Sequence, residues 1–198
     1  MKLLHSPMSH NSRRCAAVVR HLDAPVAIEV VDIMKGGHKS ADFLVLNPNG
    51  MVPTLVDGDE VLWESDAINV HVAAAVGSSL WPEGSLRGDV LRWMLWRSAH
   101  FGNACEDLIW QNMLLPMQGQ PTSDDVREQA LGRFQRFAGV LDTHLAERDF
   151  LVGDALTLAD FSLAACLHYR EPAKIPVGDH AHVARWLAGI EDLPAWER

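Results

Sequence analysis

The order of short apolar runs and helical stretches near the start of the chain constrains its fold more than any other feature. Lys2 to His5 is short, centred on two leucines, and predicts a strand. A turn at Ser6-Pro7 and a polar run from Ser9 predict a helix, which closes at Ala24-Pro25. Ala27 to Val31 predicts a second strand, parallel to the first because a whole helix connects the two. The chain therefore begins with a βαβ unit.

A hairpin follows this unit. Ser40 to Leu46 predicts a short helix that ends at Asn47-Pro48-Asn49-Gly50. Thr54 to Val56 and Val61 to Trp63 are apolar runs on either side of an Asp-Gly-Asp-Glu turn, which predicts an antiparallel pair. Ser65 then begins an apolar helix that extends to about Val76. The resulting order, β-α-β-α-β-β-α, is that of a thioredoxin-like fold.

The rest of the chain is predicted to be all-helical. Turn residues are dense between Gly77 and Ser85, and no convincing strand follows them. Helices are predicted over Asp89 to Met113, Asp124 to Glu147, Thr157 to Tyr169 and His182 to Ile190. The predicted fold class is thus α/β plus all-α, with a thioredoxin-like domain over 1–77, a linker over 78–86 and a helical bundle domain over 87–198.

Composition excludes several classes of function. Of the 198 residues, 48% are hydrophobic, which is enough to bury a core. Seventeen Lys and Arg against 26 Asp and Glu give a net charge of −9, which argues against a nucleic-acid partner. Three widely spaced cysteines favour a reducing compartment, and no metal-ligand spacing is present. No stretch approaches the roughly 20 apolar residues of a membrane span. We therefore expect a soluble, cytoplasmic protein without a metal.

The loop after the first strand is the first candidate site. In a thioredoxin-like fold it points at a helix N-terminus, where N–H groups and the helix dipole stabilise an anion such as a thiolate. The nearest cysteine, Cys15, falls inside the helix, which disfavours disulfide exchange on the protein. The Ser9 hydroxyl would donate a hydrogen bond to a thiolate brought by a ligand, or else Ser9 or Ser12 only caps the helix. The spacing does not decide between these roles.

Two further candidates fall at the same end of this domain. If the Val52-Pro53 bond is cis, the main chain of Val52 is available to a peptide-like ligand; an ordinary trans proline opening a strand is the alternative. Glu64 and Ser65 lie where a strand passes into a helix, which suits a ligand ammonium and carboxylate respectively, unless Ser65 is only a cap. Together the three candidates favour a binding site.

Three segments resemble the glutathione S-transferase family. Asn47 to Ile68 resembles its cis-proline strand, hairpin and Glu-Ser helix cap. Ser6 to Arg14 is similar to the serine-type active-site loop of the bacterial, theta-like and delta-like branches, and Leu151 to Ala165 resembles the capping-box motif of the helical domain. With His182 to Trp196, the resemblance covers essentially the whole chain. It implies a cytoplasmic, homodimeric detoxification enzyme with glutathione as co-substrate, which attacks a small hydrophobic electrophile.

The resemblance also assigns residues. Ser9 matches the hydroxyl that stabilises the glutathione thiolate; His10 is the second candidate, followed by Ser12 and Ser6. Val52 matches the residue whose main chain pairs with the cysteinyl unit. The residues assigned to glutathione, from its glycyl end to its γ-glutamyl end, are His38, Met51, Val52, Pro53, Glu64, Ser65 and Asp66.

Two departures from the family pattern keep other functions open. Gly50 stands where delta-like relatives often carry His, and Asp66 where many have Arg. Both favour a non-catalytic binding or assembly module with the same fold. The residues that oppose it are Ser9, Pro53, Glu64 and Ser65. A glutathione-dependent peroxidase or dehalogenase is a further alternative, and peroxidase chemistry would accumulate oxidised glutathione instead of a conjugate.

Two patterns in the helical part complete the predictions. Trp93, Trp96, His100, Asp107 and Trp110 are spaced to lie along one helix face. This stripe predicts a core seam or dimer contact in preference to an electrophile pocket; within such a pocket, Trp96 and His100 are the candidates. The segment from Thr157 to Asp160 predicts a capping box, so that Asp160 has a structural role.

Overall fold

The computed structural model describes residues 1–196. The chain divides into two compact units. The first, called the α/β unit, comprises Met1–Pro82 with residues 194–196, and the second, called the helical unit, comprises Glu83–Leu193. Among the described residues, no helix is both long enough and apolar enough to cross a membrane.

The α/β unit is a four-stranded mixed sheet with helices. Its elements are β1 (Lys2–His5), α1 (His10–His21), β2 (Ala27–Val30), a 3₁₀ turn (Gly37–Lys39), α2 (Ala41–Leu46), β3 (Thr54–Asp57), β4 (Glu60–Trp63) and α3 (Ser65–Ala75). The strand order is β2-β1-β3-β4. Strand β1 is parallel to β2 and antiparallel to β3, which pairs with β4 as a hairpin. The predicted thioredoxin-like domain is confirmed.

The core of this unit lies between the two central strands and the helices α1 and α3. Leu3 of β1 and Leu55 of β3 are fully buried in it. Each large aliphatic side chain buried in this way contributes about 1.5–3 kcal/mol. The helix residues that pack against these leucines are Cys15, Ala16, Val19, Ile68 and Val72.

Every regular element of the helical unit, within the described residues, is helical. The elements are α4 (Ser85–Trp96), a π-helical segment (Arg97–Phe101), α5 (Gly102–Ile109), a second π-helical segment (Trp110–Leu114), α6 (Leu115–Met117), α7 (Asp124–Leu145), α8 (Leu158–Ala164), 3₁₀ turns (Ala165–Leu167 and Val177–Asp179) and α9 (Ala181–Glu191). The predicted all-α part is confirmed, although the helix expected to begin at Asp89 begins at Ser85.

Four members of the predicted aromatic stripe lie against α7, as the core-seam interpretation predicts. Trp93 contacts His144, and both Trp96 and His100 contact Phe137. Asp107 forms an ion pair with Arg133 of the same helix.

Each π-helical segment forms wider turns than an α-helix and so shifts the phase of the side chains that follow. Trp93 is only 7% exposed, whereas Trp110 is 41% exposed and His100 is exposed as well.

Local capping follows the predictions closely. The side chains of Ser9, Ser40 and Ser123 accept hydrogen bonds from the third N–H group of α1, α2 and α7. At the start of α8 the expected capping box forms. Its fully buried Asp160 carboxylate accepts hydrogen bonds from the Thr157 N–H and hydroxyl.

Candidate active site

The topology of the α/β unit brings the candidate residues to one edge of its sheet. Leu4 of β1 pairs with Thr54 of β3, which pairs with Trp63 of β4. Strands β1 and β4 therefore end, and β3 begins, at the same edge. The loop carrying Ser9 follows β1, the Val52-Pro53 pair precedes β3, and Glu64 follows β4. The loop carrying His38 leaves the same edge, because Val30 at the end of β2 pairs with His5.

Ser9 lies at the N-terminus of α1 in extended backbone conformation. Its hydroxyl oxygen accepts a hydrogen bond from the Ser12 N–H at 3.2 Å, so Ser9 caps the helix. A hydroxyl that accepts in this way still carries a proton to donate. The first turn of α1 has no acidic residue, so no side-chain charge there neutralises the positive end of the helix dipole. Capping and thiolate stabilisation are therefore compatible in one residue.

The other candidate donors differ in accessibility. His10, the first residue of α1, is half-buried. Ser12 is fully buried, and its hydroxyl has no hydrogen-bond partner among residues 1–196. Ser6 is 2% exposed and accepts a hydrogen bond from the Met8 N–H at 3.4 Å. Of these three residues, only His10 presents surface to a ligand.

The Val52–Pro53 peptide bond is cis, and a buried asparagine supports the segment around it. The Asn47 amide nitrogen donates to the Met51 carbonyl oxygen at 2.8 Å and to the Thr54 hydroxyl at 3.1 Å. The Met51 side chain itself is 64% exposed. The sequence does not single out Asn47, because an Asn-Pro-Asn-Gly run predicts only the end of a helix.

Glu64 and Ser65 form the junction between β4 and α3. Glu64 is exposed and has a φ of 72°, in the left-handed region that side chains other than glycine rarely adopt. Such conformations cost about 1–3 kcal/mol and cluster at ligand sites. Ser65 begins α3 and is 6% exposed. The Cys15 thiol donates to the Ser65 carbonyl at 3.3 Å, which ties α1 to the start of α3.

Asp66 forms an ion pair with Arg14 of α1. The shortest distance between the two groups is 3.2 Å; the Arg14 side chain is fully buried and that of Asp66 is 20% exposed. Arg14 also donates to the Asn11 side chain. The carboxylate at position 66 therefore has a cationic partner within the protein, which accounts for this departure from the family pattern.

Gly50 also has a structural reason. Its φ is +58°, and a Cβ atom there would lie 2.8 Å from the Lys39 ammonium nitrogen and 3.1 Å from the His38 carbonyl oxygen. Lys39, which the sequence prediction missed, approaches the Asn49 carbonyl at 3.5 Å and so places a cation beside this turn. Lys39 directly follows the candidate His38 in the chain, and this adjacency is the sequence signal that indicates it. The His38 Nδ1 atom is buried without a hydrogen-bond partner in the described chain.

In the helical unit, Trp96 and His100 belong to one aromatic cluster. Trp96 stacks on Phe101 at 5.6 Å between ring centroids, and both Trp96 and His100 contact Phe137. Trp96 also lines a pocket of about 290 Å³ with Trp93. His100 is not part of that lining. Among residues 1–196, no group of three or more His, Cys, Asp or Glu is arranged to hold a metal ion.

The fold and the cluster at the sheet edge define a thioredoxin-like domain joined to a helical unit. Residues 1–74 match the glutathione S-transferase N-terminal domain, and residues 105–194 match its C-terminal domain. Glutathione S-transferase 3 of Zea mays is 35% identical over 204 residues, covering 100% of this chain and 92% of that protein. The chain belongs to the glutathione S-transferase family, as its motifs predicted.

Solved structures of glutathione S-transferases are similar to this chain over almost its whole length. A structure of glutathione S-transferase-I bound with lactoylglutathione is 30% identical with a TM-score of 0.86, covering 98% of this chain and 95% of that one. A structure of glutathione S-transferase I from maize in complex with an atrazine glutathione conjugate is 29% identical with a TM-score of 0.87, covering 98% and 93%.

Proposed function

We propose that this protein is a glutathione transferase that joins the glutathione sulfur to a small hydrophobic electrophile. The observation that carries the proposal is the meeting of Ser9, Val52 and the Glu64-Ser65 pair at one sheet edge. The family membership supports it, as do the relatives whose structures hold lactoylglutathione and an atrazine glutathione conjugate. Gly50 and Asp66 have structural explanations, so they no longer favour a non-catalytic module.

Ser9 stabilises the thiolate in this proposal. A free thiol has a pKa of about 8.5, and a donated hydrogen bond together with a helix N-terminus lowers it. The Ser9 hydroxyl donates to the glutathione sulfur, while α1 supplies its unpaired N–H groups. The thiol proton passes to water. The sulfur then forms a bond to the electrophilic carbon, and the displaced electron pair leaves with the leaving group or moves to an acceptor atom of the substrate. His10 is the second candidate for the donor.

The remaining residues hold the tripeptide. The backbone N–H and C=O of Val52 pair with the cysteinyl unit, between Met51 and the cis Pro53. Glu64 accepts from the γ-glutamyl ammonium, and the N-terminus of α3 at Ser65 binds the adjoining carboxylate.

The glycyl carboxylate lies at the other end of the tripeptide. His38 and Lys39 face it, and their position in the 3₁₀ turn beside Gly50 supports this assignment. Asp66 acts on the glutathione site indirectly, through its ion pair with Arg14.

Finer assignments are part of the same proposal. The curated relatives come from plants such as Zea mays and Nicotiana tabacum, so they do not support the bacterial, theta-like or delta-like branch. The serine-type chemistry rests on Ser9 itself.

We propose a homodimer, supported by the exposed Leu91 and Leu95 on α4, and a cytoplasmic location, supported by three free cysteines. Residues 1–77 bind glutathione; in the domain over 87–198, Trp96 and His100 are the candidates for contact with the electrophile.

The test separates binding from activation. Calorimetric titration with reduced glutathione should show binding to the wild type and to Ser9→Ala, and weaker binding to Ser65→Ala. Turnover of chlorodinitrobenzene should fall roughly 10- to 100-fold in Ser9→Ala, because a hydrogen bond to a charged group is worth about 1.5–3 kcal/mol. Its pH profile should move toward the free-thiol pKa of about 8.5.

The exposed Ser79 provides the matched control, and Ser79→Ala should retain wild-type binding and turnover. Full turnover in Ser9→Ala combined with its loss in His10→Ala would assign the donor to His10. Absence of any glutathione binding at millimolar concentration would refute the transferase. Accumulation of oxidised glutathione instead of a conjugate, with a peroxide substrate, would show peroxidase chemistry.

A further inference from the structure

The turn Asn47-Pro48-Asn49-Gly50 contains a chemically labile pair of residues that the proposed conjugation reaction does not use. Asparagine is a thermolabile residue, because the main-chain nitrogen of the next residue can attack its side-chain amide carbon. Asn49 is exposed and is followed by Gly50, which has no side chain to hinder that attack. Asn47 is followed by Pro48, whose nitrogen carries no hydrogen to lose, so Asn47 is inert to this reaction. Asn49 is therefore the reactive asparagine of the turn.

The reaction of such a pair is a deamidation. The Gly50 nitrogen gives its proton to water or hydroxide and forms a bond to the side-chain amide carbon of Asn49. The amide nitrogen leaves as ammonia, and a five-membered succinimide ring remains. Water then opens this ring at one of its two carbonyl carbons, which yields aspartate or isoaspartate at position 49. Either product replaces a neutral amide by a carboxylate, and water is the only other reactant.

A cation beside the turn favours this attack. The Lys39 Nζ atom lies 3.5 Å from the main-chain carbonyl oxygen of Asn49. A Cβ atom at Gly50 would lie 2.8 Å from the same nitrogen, so the ammonium is next to Gly50 as well. Negative charge develops on the Gly50 nitrogen and on the amide oxygen of Asn49 during the attack. A fixed positive charge nearby stabilises a transition state of this kind.

Asn47 opposes the attack, because it holds both reacting groups. Its main-chain oxygen accepts from the Gly50 N–H at 2.9 Å, which disfavours loss of that proton. Its side-chain oxygen accepts from the Asn49 N–H at 3.1 Å and from the Asn49 amide nitrogen at 3.0 Å. Asn47 is only 2% exposed and is itself fixed by donation to the Met51 carbonyl and the Thr54 hydroxyl. The Asn49 side chain must leave Asn47 before the new bond can form.

We propose that Asn49 is a deamidation site restrained by Asn47, and that its conversion to a carboxylate weakens glutathione binding. The first part depends on the turn alone. The second part rests on the proposed function, in which Lys39 faces the glycyl carboxylate. A carboxylate at position 49 pairs with Lys39 and repels the glycyl carboxylate. The turn thereby acts as a slow switch that lowers the affinity for glutathione.

Peptide mapping by mass spectrometry tests the first part. The wild type, Asn47→Ala and Asn49→Gln are incubated at alkaline pH, and the mass gain of an amide-to-acid conversion is followed at position 49. Asn47→Ala should react about tenfold faster than the wild type, the equivalent of roughly 1.4 kcal/mol for the lost side-chain hydrogen bonds. Asn49→Gln should keep its amide, because its longer side chain would have to form a six-membered ring. The exposed Asn103, which precedes Ala104 within α5, is the internal control and should also keep its amide.

A second variant separates the restraint on Asn49 from a general loss of stability. Asn47→Asp keeps the side-chain oxygen that accepts from Asn49 but no longer donates to the Met51 carbonyl, so it weakens the turn and retains the restraint. It should react no faster than the wild type. In urea, where the turn is unfolded, the wild type and Asn47→Ala should react at the same rate. Equal rates of the two folded proteins, unequal rates in urea, or an Asn47→Asp rate as high as that of Asn47→Ala would each overturn the proposal.

Asn49→Asp tests the consequence for glutathione. In calorimetry it should bind reduced glutathione about tenfold more weakly than the wild type, and added salt should reduce this difference. The neutral Asn49→Gln is the matched control and should bind like the wild type. Equal affinity of Asn49→Asp and the wild type would overturn the second part while leaving the transferase intact. Absence of glutathione binding by the wild type would refute the transferase and the second part together, whereas the deamidation rates are measured without glutathione and would still decide the first part.

Discussion

Asp160 holds the beginning of α8 to two other segments of the helical unit, and its replacement should be costly. The carboxylate is fully buried and accepts from three N–H groups: Leu151 at 2.9 Å, Thr157 at 2.8 Å and the Trp186 indole at 3.0 Å. Each buried donor left without a partner costs about 1–3 kcal/mol. Asp160→Ala leaves all three unpaired, so we expect a loss of at least about 3 kcal/mol in the free energy of unfolding.

Asp160→Asn should be milder. Its amide oxygen can accept from Leu151 and Trp186 in place of Oδ1, while its amide nitrogen faces the Thr157 N–H, another donor. The Thr157 hydroxyl, which also donates to Oδ2, can turn to accept from the new amide, so one buried donor, the Thr157 N–H, is left unpaired at a cost of about 1–3 kcal/mol. Urea unfolding followed by tryptophan fluorescence measures both variants, and the melting temperature of Asp160→Ala should fall by roughly 6–12 °C. The exposed Asp154 in the same loop is the control, and Asp154→Asn should change stability by less than about 0.5 kcal/mol.

The pH dependence gives an independent check. Burial raises the pKa of the Asp160 carboxyl group, and the hydrogen bonds from Leu151, Trp186 and Thr157 only partly oppose this. The folded state therefore holds the proton more tightly than the unfolded state. Relative to Asp160→Asn, the wild type should gain stability as the pH falls through this raised pKa and lose that gain as the pH rises. A free energy of unfolding of Asp160→Ala within about 1 kcal/mol of the wild-type value would refute the argument from the lost hydrogen bonds.

Three other predictions concern the two units. All three cysteines are buried, and burial raises the pKa of the Cys105 thiol well above its ordinary value. A thiol reagent should therefore modify no cysteine in the native protein and all three in urea. Rapid modification of the native protein would contradict this. Asp66→Asn should lower the free energy of unfolding in urea by about 1–3 kcal/mol, because the amide oxygen can still accept from Arg14 but the charge that pairs with this buried cation is lost; an unchanged free energy of unfolding would mean that this ion pair does not stabilise the fold. Gly50→Ala should lower the free energy of unfolding by about 1–2 kcal/mol and weaken glutathione binding in calorimetry, because the new Cβ would contact the Lys39 side chain and the residue would keep a positive φ. Unchanged glutathione affinity would show that this turn is not part of the binding site.

Local chemistry explains which parts of the fold and candidate site were predictable. The hairpin turn from Asp57 to Glu60, the cap at Ser9 and the box at Asp160 each depend on partners within a few residues. Their hydrogen bonds form once the local backbone conformation is adopted, so residue type and spacing are sufficient evidence. The convergence of Ser9, Val52 and Glu64 was also predictable, since strand order alone places their loops at one edge.

Other features depended on contacts between segments distant in sequence. Arg14 and Asp66 are 52 positions apart, and no local pattern pairs a lysine or arginine with a particular carboxylate at that range. The spacing of the aromatic stripe predicted a seam, but its partners on α7, from His144 to Arg133, depend on how the two helices pack. Asn47 and Lys39 gained their roles only when the turn around Gly50 was in place.

The sequence by itself thus determined the order of the elements, their caps, the family and the edge of the sheet that carries the candidate site. Tertiary structure alone decided which serine remains accessible, with Ser12 turned into the core and Ser9 left at the helix mouth. It also assembled a pocket of the helical unit from residues as far apart as Leu108 and Lys174. The physical reason is that periodicity and turn chemistry act over a few residues, whereas burial and charge pairing depend on the packing of the whole unit.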